Sequence, residues 1–313
     1  MKKLTLLLII ALIVVLSFSV FFTGCKTQTA AATTAAAVAT AAAETTASTA
    51  AYNLIEDGFL TLGVAEDPPG SMWVSDSKLT GFAGDIWTEI AKRMGLKIKA
   101  SQVVWDSLVP SIVAKKVDSD AVGMWSTLER SKSVDFTIPH GYEARAIQQL
   151  KGTKYDTIDS LKGLTVASVV GNAEVPDYEA AGAKINLFKT PILAIQDVIN
   201  GNSVAAVVGE ILFAYETTKT PELKEKMYQL TVKGDAGGAL AFAIRKDNKG
   251  LLDAVNKVME AMWIDGTMDK IYNDWGMSDY AFRRLPGTIP WVSPSCNSYV
   301  HSQYSYNEDG SIK

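Results

Sequence analysis

Between Tyr52 and Trp275 the chain alternates short apolar runs with longer amphipathic segments, and this alternation constrains the fold more than any other feature. Apolar runs such as 164–170 and 204–208 are typical of parallel strands buried on both faces. Segments such as 85–94 repeat apolar residues at helical spacing. Strands that alternate with helices indicate an α/β architecture, which binds ligands in the loops at the carboxyl ends of its strands.

One such strand end, at 121–124, leads into a polar turn that carries Ser126, Thr127 and Arg130. A guanidinium binds a carboxylate through two parallel hydrogen bonds, and neighbouring hydroxyl and backbone N–H groups can complete an anion site. The same residues also fit a plain helix cap, in which Glu129 and Arg130 lie in a solvated first turn. Composition alone favours the cap, and both interpretations stay open at this point.

Several short motifs occur in the same order as in one protein family. They are Gly81-Phe82-x-x-Asp85-Ile86, Trp105-Asp106-x-Leu108-x-Pro110, Thr127-x-x-Arg130, Val134-Asp135-Phe136-Thr137 and Asp265-Gly266-Thr267-x-x-Lys270-Ile271-Tyr272-x-x-Trp275. As an ordered set over residues 54–276, they resemble the family 3 periplasmic solute-binding proteins, the receptors of amino-acid ABC transporters.

This resemblance implies a type II periplasmic-binding-protein fold, an α/β fold with two lobes. Each lobe has a sheet of about five strands, and two crossover strands join them. Lobe 1 is expected at 52–146 and 240–276, and lobe 2 at 147–239. The ligand, an amino acid or a related amine or carboxylate, is expected to bind in the cleft between the lobes. Hinge closure then precedes delivery to a membrane permease. A monomer without cofactors is expected.

The resemblance also implies roles for residues on both sides of the cleft. Arg130 is expected to bind the α-carboxylate of the ligand, with help from the hydroxyls of Ser126 and Thr127. Gly171 and Asn172 are expected to open a helix in lobe 2, whose N-terminal backbone N–H groups suit the same carboxylate. Asn172 replaces the usual hydroxyl residue, so only the backbone role carries over.

The ligand's amino group is assigned by the resemblance to Glu210. This residue follows the apolar run 204–208 and Gly209, at the position where the family has an Asp. The alternative is an acid that merely stabilises the first turn of a helix through its dipole. The family's other Asp in this segment is Ala205 here.

The first strand-end loop departs from the family pattern. Gly70 follows Pro69 where an aromatic residue is usual, and the aromatic comes later, at Trp73. Trp73 is therefore a candidate wall of the ligand site, and a loop anchor is the alternative. Glu66 and Asp67 precede the prolines and are further candidates for ligand contact.

A second departure is Trp125, which stands where the family commonly has a small or hydroxyl residue. If its side chain points into the cleft, the indole narrows the pocket and offers a π face to a ligand cation. If it points inward, it belongs to the core. The sequence leaves both orientations open.

The N-terminus carries the features of a bacterial lipoprotein signal. Lys2 and Lys3 precede an apolar run at 4–22, and Cys25 follows a small residue. The resemblance implies cleavage after residue 24, lipidation of Cys25 and an extracytoplasmic, membrane-anchored receptor. An uncleaved membrane anchor is the alternative, since the run is about long enough to cross a bilayer at ~20 residues.

The Ala- and Thr-rich residues that follow, up to 51, predict a disordered tether between the lipid and the receptor.

Composition excludes several function classes. A net charge of −4 at pH 7 argues against a nucleic-acid partner. The chain has two His and two Cys residues without metal-ligand spacing, so no metal site is expected. Residues 277–313 extend beyond the resemblance, and their role is unassigned. If Cys25 is lipidated, Cys296 is left as a free thiol or as one half of an intermolecular disulfide.

An enzyme on the same fold is the main alternative function. Cyclohexadienyl dehydratases, which act on arogenate or prephenate, resemble this family, and residues 127–130 fit their version of the motif. In them a Glu at the start of the lobe 2 helix serves the elimination, and Glu174 is the candidate here. Fold resemblance is weak support for chemistry, so a binding protein is expected. A ligand-sensing lobe for a separate signalling partner is a third interpretation.

Overall fold

The computed structural model describes residues 52–233 and 237–277. The predictions for the signal at 1–24, the tether at 25–51, Cys25, Cys296 and the extension past Met277 lie outside these residues. No described helix is both long enough and apolar enough to cross a membrane.

The named strands are short, each of them between two and six residues. In chain order they are β1 Phe59–Val64, β2 Met72–Ser75, β3 Lys78–Thr80, β4 Lys97–Gln102, β5 Ser119–Asp120, β6 Met124–Trp125, β7 Val134–Phe136, β8 Gly141–Glu143, β9 Ala146–Leu150, β10 Thr165–Val169, β11 Lys184–Phe188, β12 Ala205–Val207, β13 Met227–Thr231, β14 Gly238–Ala241 and β15 Ala243–Arg245.

The helices lie between these strands and after the last of them. In chain order they are α1 Phe82–Met94, α2 Leu108–Val113, α3 Leu128–Ser131, α4 Val175–Ala180, α5 Pro191–Ile199, α6 Glu210–Lys219, α7 Pro221–Lys226, α8 Lys249–Ile264 and α9 Thr267–Asp274. Single 3-10 turns at Trp105–Ser107 and Ile158–Leu161 complete the description.

Two five-stranded sheets form the centres of the two lobes, which confirms the predicted fold. The first sheet has the order β4-β1-β5-β15-β7, in which β1 runs parallel to β4 and β5. The second has the order β11-β10-β12-β9-β13, in which β10 runs parallel to β11 and β12. We call the first sheet with its helices lobe 1 and the second with its helices lobe 2.

The chain crosses between the lobes twice, and the two crossings pair with each other. Strand β8 leads out of lobe 1 and β14 leads back, and they run antiparallel with Gly238 opposite Glu143. Strand β14 also pairs with β6, so a small three-stranded sheet of order β6-β14-β8 joins the lobes. We call it the hinge sheet. Ala146 already belongs to the lobe 2 sheet, one residue before the expected start of that lobe.

Apolar side chains cover both faces of each sheet. In lobe 1, α1, α8 and α9 pack on one face, and α2 packs on the other. The apolar side chains of α8 and α9, which include Met259, Met262 and Met268, are buried in this core. Lobe 2 has two corresponding clusters, centred on Ile195 and Tyr178. Because both faces of each sheet are buried, the loops at the strand ends are the parts of the sheets that a ligand can reach.

Candidate ligand-binding cleft

A cavity of about 430 Å³ lies between the strand ends of the two lobes. Lobe 1 contributes residues from the loops at 64–70, 102–105 and 122–125. Lobe 2 contributes residues 172–174 and 189–191, together with Val208, Gly209, Ile211 and Leu212. This volume falls in the range of about 300–1,000 Å³ that is typical of small-molecule sites.

Arg130 lines this cavity, and the short helix α3 fixes its position. Thr127 caps that helix: its side chain accepts a hydrogen bond from the Arg130 backbone N–H at 3.2 Å. The helix-cap interpretation therefore holds for Thr127, and the cap is also what aims Arg130 at the cleft. Neither Thr127 nor Ser126 lines the cavity, although the buried Ser126 hydroxyl has no hydrogen-bond partner among the described residues.

The Arg130 guanidinium is held by two backbone carbonyl groups from opposite lobes. Its Nη1 donates to the Trp125 oxygen at 2.8 Å, and its Nη2 donates to the Gly171 oxygen at 3.0 Å. The guanidinium also lies over the Trp105 ring, 5.8 Å from its centroid. Trp105 in turn donates from Nε1 to the same Gly171 oxygen at 3.4 Å. Gly171 thus accepts hydrogen bonds from two lobe 1 side chains.

The loop at Gly171 and Asn172 presents less free backbone than the sequence predicts. The helix that follows it, α4, starts only at Val175 and has six residues. Asn172 lines the cavity, but its side-chain oxygen accepts from the Glu174 N–H, and its amide donates to the Val207 carbonyl. Gly171 is not part of the cavity wall. Anion binding by this backbone stays a prediction.

Trp125 belongs both to the cavity wall and to the buried core of lobe 1. Its indole Nε1 donates to Glu143 at 3.1 Å. A cation already lies over its ring, because the Arg145 guanidinium is 5.8 Å from the ring centroid. A Cβ atom added at Gly238 would come within 2.3 Å of the indole, so the glycine makes room for the ring. The indole therefore contacts Glu143 through its N–H and Arg145 through its face.

Glu143 was missed by the sequence reasoning. It ends β8 in the hinge sheet and lines the cavity. One carboxylate oxygen accepts from Trp125, and the other accepts from the Ile211 N–H at 3.1 Å. Burial raises the pKa of Glu143 to about 8, and the neighbouring carboxylates of Asp67 and Glu210 add to the shift. In the sequence, Glu143 is a single acid on a strand between the lobes, and this position does not reveal its contacts with Trp125 and Ile211.

Glu210 does not line the cavity. It starts helix α6, and its carboxylate accepts from the Ala144 backbone N–H at 3.3 Å. Burial raises the pKa of Glu210. Because the helix turns this side chain toward the crossover segment, the adjacent residues Gly209 and Ile211 form the wall instead. A direct contact between Glu210 and the ligand's amine stays a prediction that this geometry does not favour.

Glu66 and Asp67, in the first strand-end loop, line the cavity, and their contact with a ligand stays a prediction. Withdrawal from water raises the pKa of Asp67 to about 7. Glu66 is exposed and accepts a hydrogen bond from the backbone N–H of Trp73 at 3.1 Å. Trp73 packs against the lobe 1 core and is not part of the wall, so here the loop-anchor interpretation fits better than a ligand wall.

Glu174 also lines the cavity, and it sits beside a buried arginine. Its Oε2 lies 3.7 Å from Arg145 Nε, and Arg145 also forms a 2.7 Å ion pair with Asp177. The surroundings of Glu174 are those of a charge network, whereas a general acid needs apolar surroundings.

Acids outnumber bases in the wall. The acidic side chains are Glu66, Asp67, Glu143 and Glu174, and the basic ones are Arg130 and Lys189. The described residues contain no group of three His, Cys, Asp or Glu side chains placed to hold a metal ion. The cleft therefore offers one guanidinium suited to a carboxylate and an excess of acidic groups, which suits an organic ligand with a carboxylate and a cationic group.

A family model for bacterial extracellular solute-binding proteins, family 3, matches residues 60–278. The chain belongs to this family. The arginine-binding protein 1 of an Escherichia coli K12 ABC transporter is a relative of this solute-binding protein. The two are 30% identical over 211 residues, covering 66% of this chain and 86% of the relative.

Two solved structures resemble the solute-binding protein in fold. An ancestral arginine-binding protein with bound arginine is 30% identical, with a TM-score of 0.63, and the match covers 70% of this chain and 98% of the other. An ancestral amino acid-binding protein, a precursor of cyclohexadienyl dehydratase, is 29% identical, with a TM-score of 0.61 and coverage of 70% and 95%. Its structural neighbours thus include amino-acid-binding proteins, one of which is a precursor of an enzyme.

Proposed function

We propose that the protein is the receptor of an amino-acid ABC importer and that it captures one amino acid between its lobes. The observation that carries this proposal is Arg130, whose guanidinium lines a two-lobed cavity with acidic side chains elsewhere in the wall. A zwitterion presents a carboxylate to the guanidinium and an ammonium to the acids. The amino-acid-binding relatives support the same ligand class.

The carboxylate is assigned to Arg130. Two of its guanidinium nitrogens donate to backbone carbonyls, and these are weaker partners than an anionic carboxylate. An incoming carboxylate can therefore displace these carbonyl groups from the guanidinium. Closure of lobe 2 over the ligand then excludes water and strengthens each charge-assisted hydrogen bond.

The dehydratase is the second candidate, because Glu174 lines the cavity and a dehydratase precursor shares the fold. The Arg145 and Asp177 ion pairs around Glu174 favour a structural role for it. Incubation with arogenate and prephenate tests this candidate. Release of phenylalanine or phenylpyruvate would establish it, and the receptor proposal expects neither product.

The cellular setting of the receptor is proposed from the sequence. Lipidation of Cys25 would anchor the protein outside the cytoplasmic membrane, where a permease can receive the ligand, and a monomer suffices for this role. Cys25→Ser should release the protein from the membrane fraction or leave an unprocessed precursor. A processed, membrane-bound Cys25→Ser protein would contradict the lipoprotein proposal.

A thermal-shift screen over the amino acids tests the receptor function, because a ligand that binds only the folded state raises the melting temperature. Arg130→Ala should abolish the ligand-induced rise, and without ligand its melting temperature should lie within a few degrees of that of the wild-type protein. Arg93→Ala is the matched control, since this arginine pairs with Glu89 and Asp265 away from the cavity. An undiminished rise in Arg130→Ala would refute the carboxylate assignment.

A further inference from the structure

Building on the receptor function proposed above, we propose that Glu143 selects the ligand by binding a cationic group at the end of the ligand's side chain. The ligand class is then a basic amino acid with a guanidinium or ammonium group. None of the family motifs includes Glu143. The proposal follows from its place in the wall, from the two hydrogen bonds that orient it and from the charges that surround it.

The hydrogen bonds hold the Glu143 carboxylate in one orientation. Each of its oxygens accepts one hydrogen bond, from Trp125 Nε1 in lobe 1 and from the Ile211 N–H in lobe 2. A carboxylate has about four lone-pair positions, so each oxygen keeps capacity for a further donor. Gly209 keeps the approach open, because a Cβ atom there would lie 3.0 Å from Oε1. A planar guanidinium or an ammonium can therefore bind this carboxylate from the cavity.

The surrounding charges make a ligand cation favourable at this position. Asp67 and Glu210 are the acids whose charges act on Glu143, and both oppose its ionisation. Within residues 52–233 and 237–277, neither Asp67 nor Glu143 forms an ion pair. Carboxylates that are withdrawn from water are costly unless a cation accompanies them. A cationic ligand group would provide that partner for both acids.

The other acids near the cleft fit this role less well. Glu210 lies outside the wall and already binds the Ala144 N–H. Glu66 is exposed, so a contact there is weakened by water, and Glu174 lies beside Arg145. Glu143 combines a cavity position, fixed geometry and an uncompensated acidic neighbour. Trp125 acts as a positioning residue, because its N–H orients the carboxylate.

Isothermal titration at pH 8.5 with arginine and citrulline tests the proposal. Citrulline has nearly the same shape as arginine but carries a neutral urea group in place of the guanidinium. A site built around a charged hydrogen bond discriminates strongly against an analogue that lacks it. The wild-type protein should bind arginine at least about tenfold more tightly than citrulline, because a charge-assisted hydrogen bond is lost.

Glu143→Gln should remove most of this preference while citrulline affinity changes by less than about threefold, since the amide keeps the side-chain shape. Glu129→Gln is the matched control, because this exposed acid pairs with Lys132 on the surface. Trp125→Phe keeps the Glu143 carboxylate but removes the indole N–H that donates to it. This change should lower the ratio of arginine affinity to citrulline affinity. It also serves as the test if Glu143→Gln does not fold.

The outcomes separate the two proposals. If the wild-type protein binds arginine and citrulline equally, or if both Glu143→Gln and Trp125→Phe keep the wild-type ratio, selection by Glu143 is wrong and the receptor function stands. If Glu210→Gln alone loses the preference, the cation binds at Glu210 and the proposal is overturned. If no amino acid binds the wild-type protein, the receptor proposal fails as well.

Discussion

The guanidinium of Arg130 in lobe 1 lies 3.0 Å from the carbonyl oxygen of Gly171 in lobe 2. The side chain that is proposed to bind the ligand's carboxylate therefore also bridges the cleft. The same guanidinium reaches back to the Trp125 carbonyl in its own lobe. One planar group therefore spans both sides of the ligand site. A residue in this position can couple ligand capture to the approach of the lobes.

Arg130→Lys should weaken amino-acid binding by roughly tenfold or more, although the positive charge is kept. An ammonium is a point charge and cannot reproduce the planar fork that binds a carboxylate bidentately. Titration calorimetry with the best ligand of the thermal-shift screen measures the change. Arg93→Lys, on the exposed surface of α1, should bind like the wild-type protein. Equal affinity of Arg130→Lys and the wild-type protein would show that binding needs only a positive charge at this position and not the planar guanidinium.

Trp105→Phe should favour the open form of the protein. The change removes the Nε1 donor to Gly171 but keeps an aromatic ring that can pack against both lobes. Small-angle scattering should show a larger radius of gyration than for the wild-type protein at the same sub-saturating ligand concentration. At saturation the two profiles should converge. Profiles that coincide at every concentration would remove Trp105 from the closure contacts.

The stability difference between Glu143→Gln and the wild-type protein should depend on pH. The folded pKa of Glu143, about 8, exceeds the usual value of 4.5, so between these values the folded state binds more protons than the unfolded state. The wild-type protein therefore loses stability as pH rises through this window, whereas the amide contributes no such loss. Without ligand, the melting temperature of Glu143→Gln should rise relative to that of the wild-type protein from pH 5 to pH 8.

That comparison isolates one acid among several. Asp67 and Glu210 face Glu143 and also have raised pKa values, but both remain in the two proteins and largely cancel in the difference. Thermal unfolding followed by circular dichroism at four pH values measures it. A difference that stays constant or shrinks with pH would show that Glu143 is not a desolvated acid in the folded protein.

Gly123→Ala should destabilise the protein more than Gly201→Ala. Both glycines have positive φ, at 75° and 78°, so an alanine is strained by about 1–2 kcal/mol at either site. At Gly123 the new Cβ would also come within 2.0 Å of the buried His140 ring, whereas at Gly201 it meets nothing within 4 Å. Overpacking adds about 1–3 kcal/mol, and chemical denaturation measures both values. Equal losses would mean that the ring moves aside freely.

The sequence predicted the architecture because each lobe repeats strong local patterns. The buried runs at β10 and β12 and the capped helix α1 follow from apolar periodicity and a C-terminal glycine. It also identified Arg130, Trp125, Asn172, Glu66 and Asp67, which all line the cavity. These residues follow strand ends or lie within known motifs, where local sequence reports position directly.

The sequence could not separate wall residues from their neighbours. Glu210 and Ile211 are adjacent, yet the first turn of α6 directs Glu210 to Ala144 and leaves Ile211 in the wall. Glu143 was missed because its role depends on Trp125 and Ile211, which come from different lobes. Such contacts depend on how the two lobes meet, and no local pattern in the chain reports that.

The hinge sheet contains Trp125 on β6, Glu143 on β8 and the glycine opposite it on β14. The strands that connect the lobes and the residues proposed to select the ligand therefore belong to one hydrogen-bonded sheet. A substitution in this sheet is therefore expected to change ligand preference and the relative movement of the two lobes together.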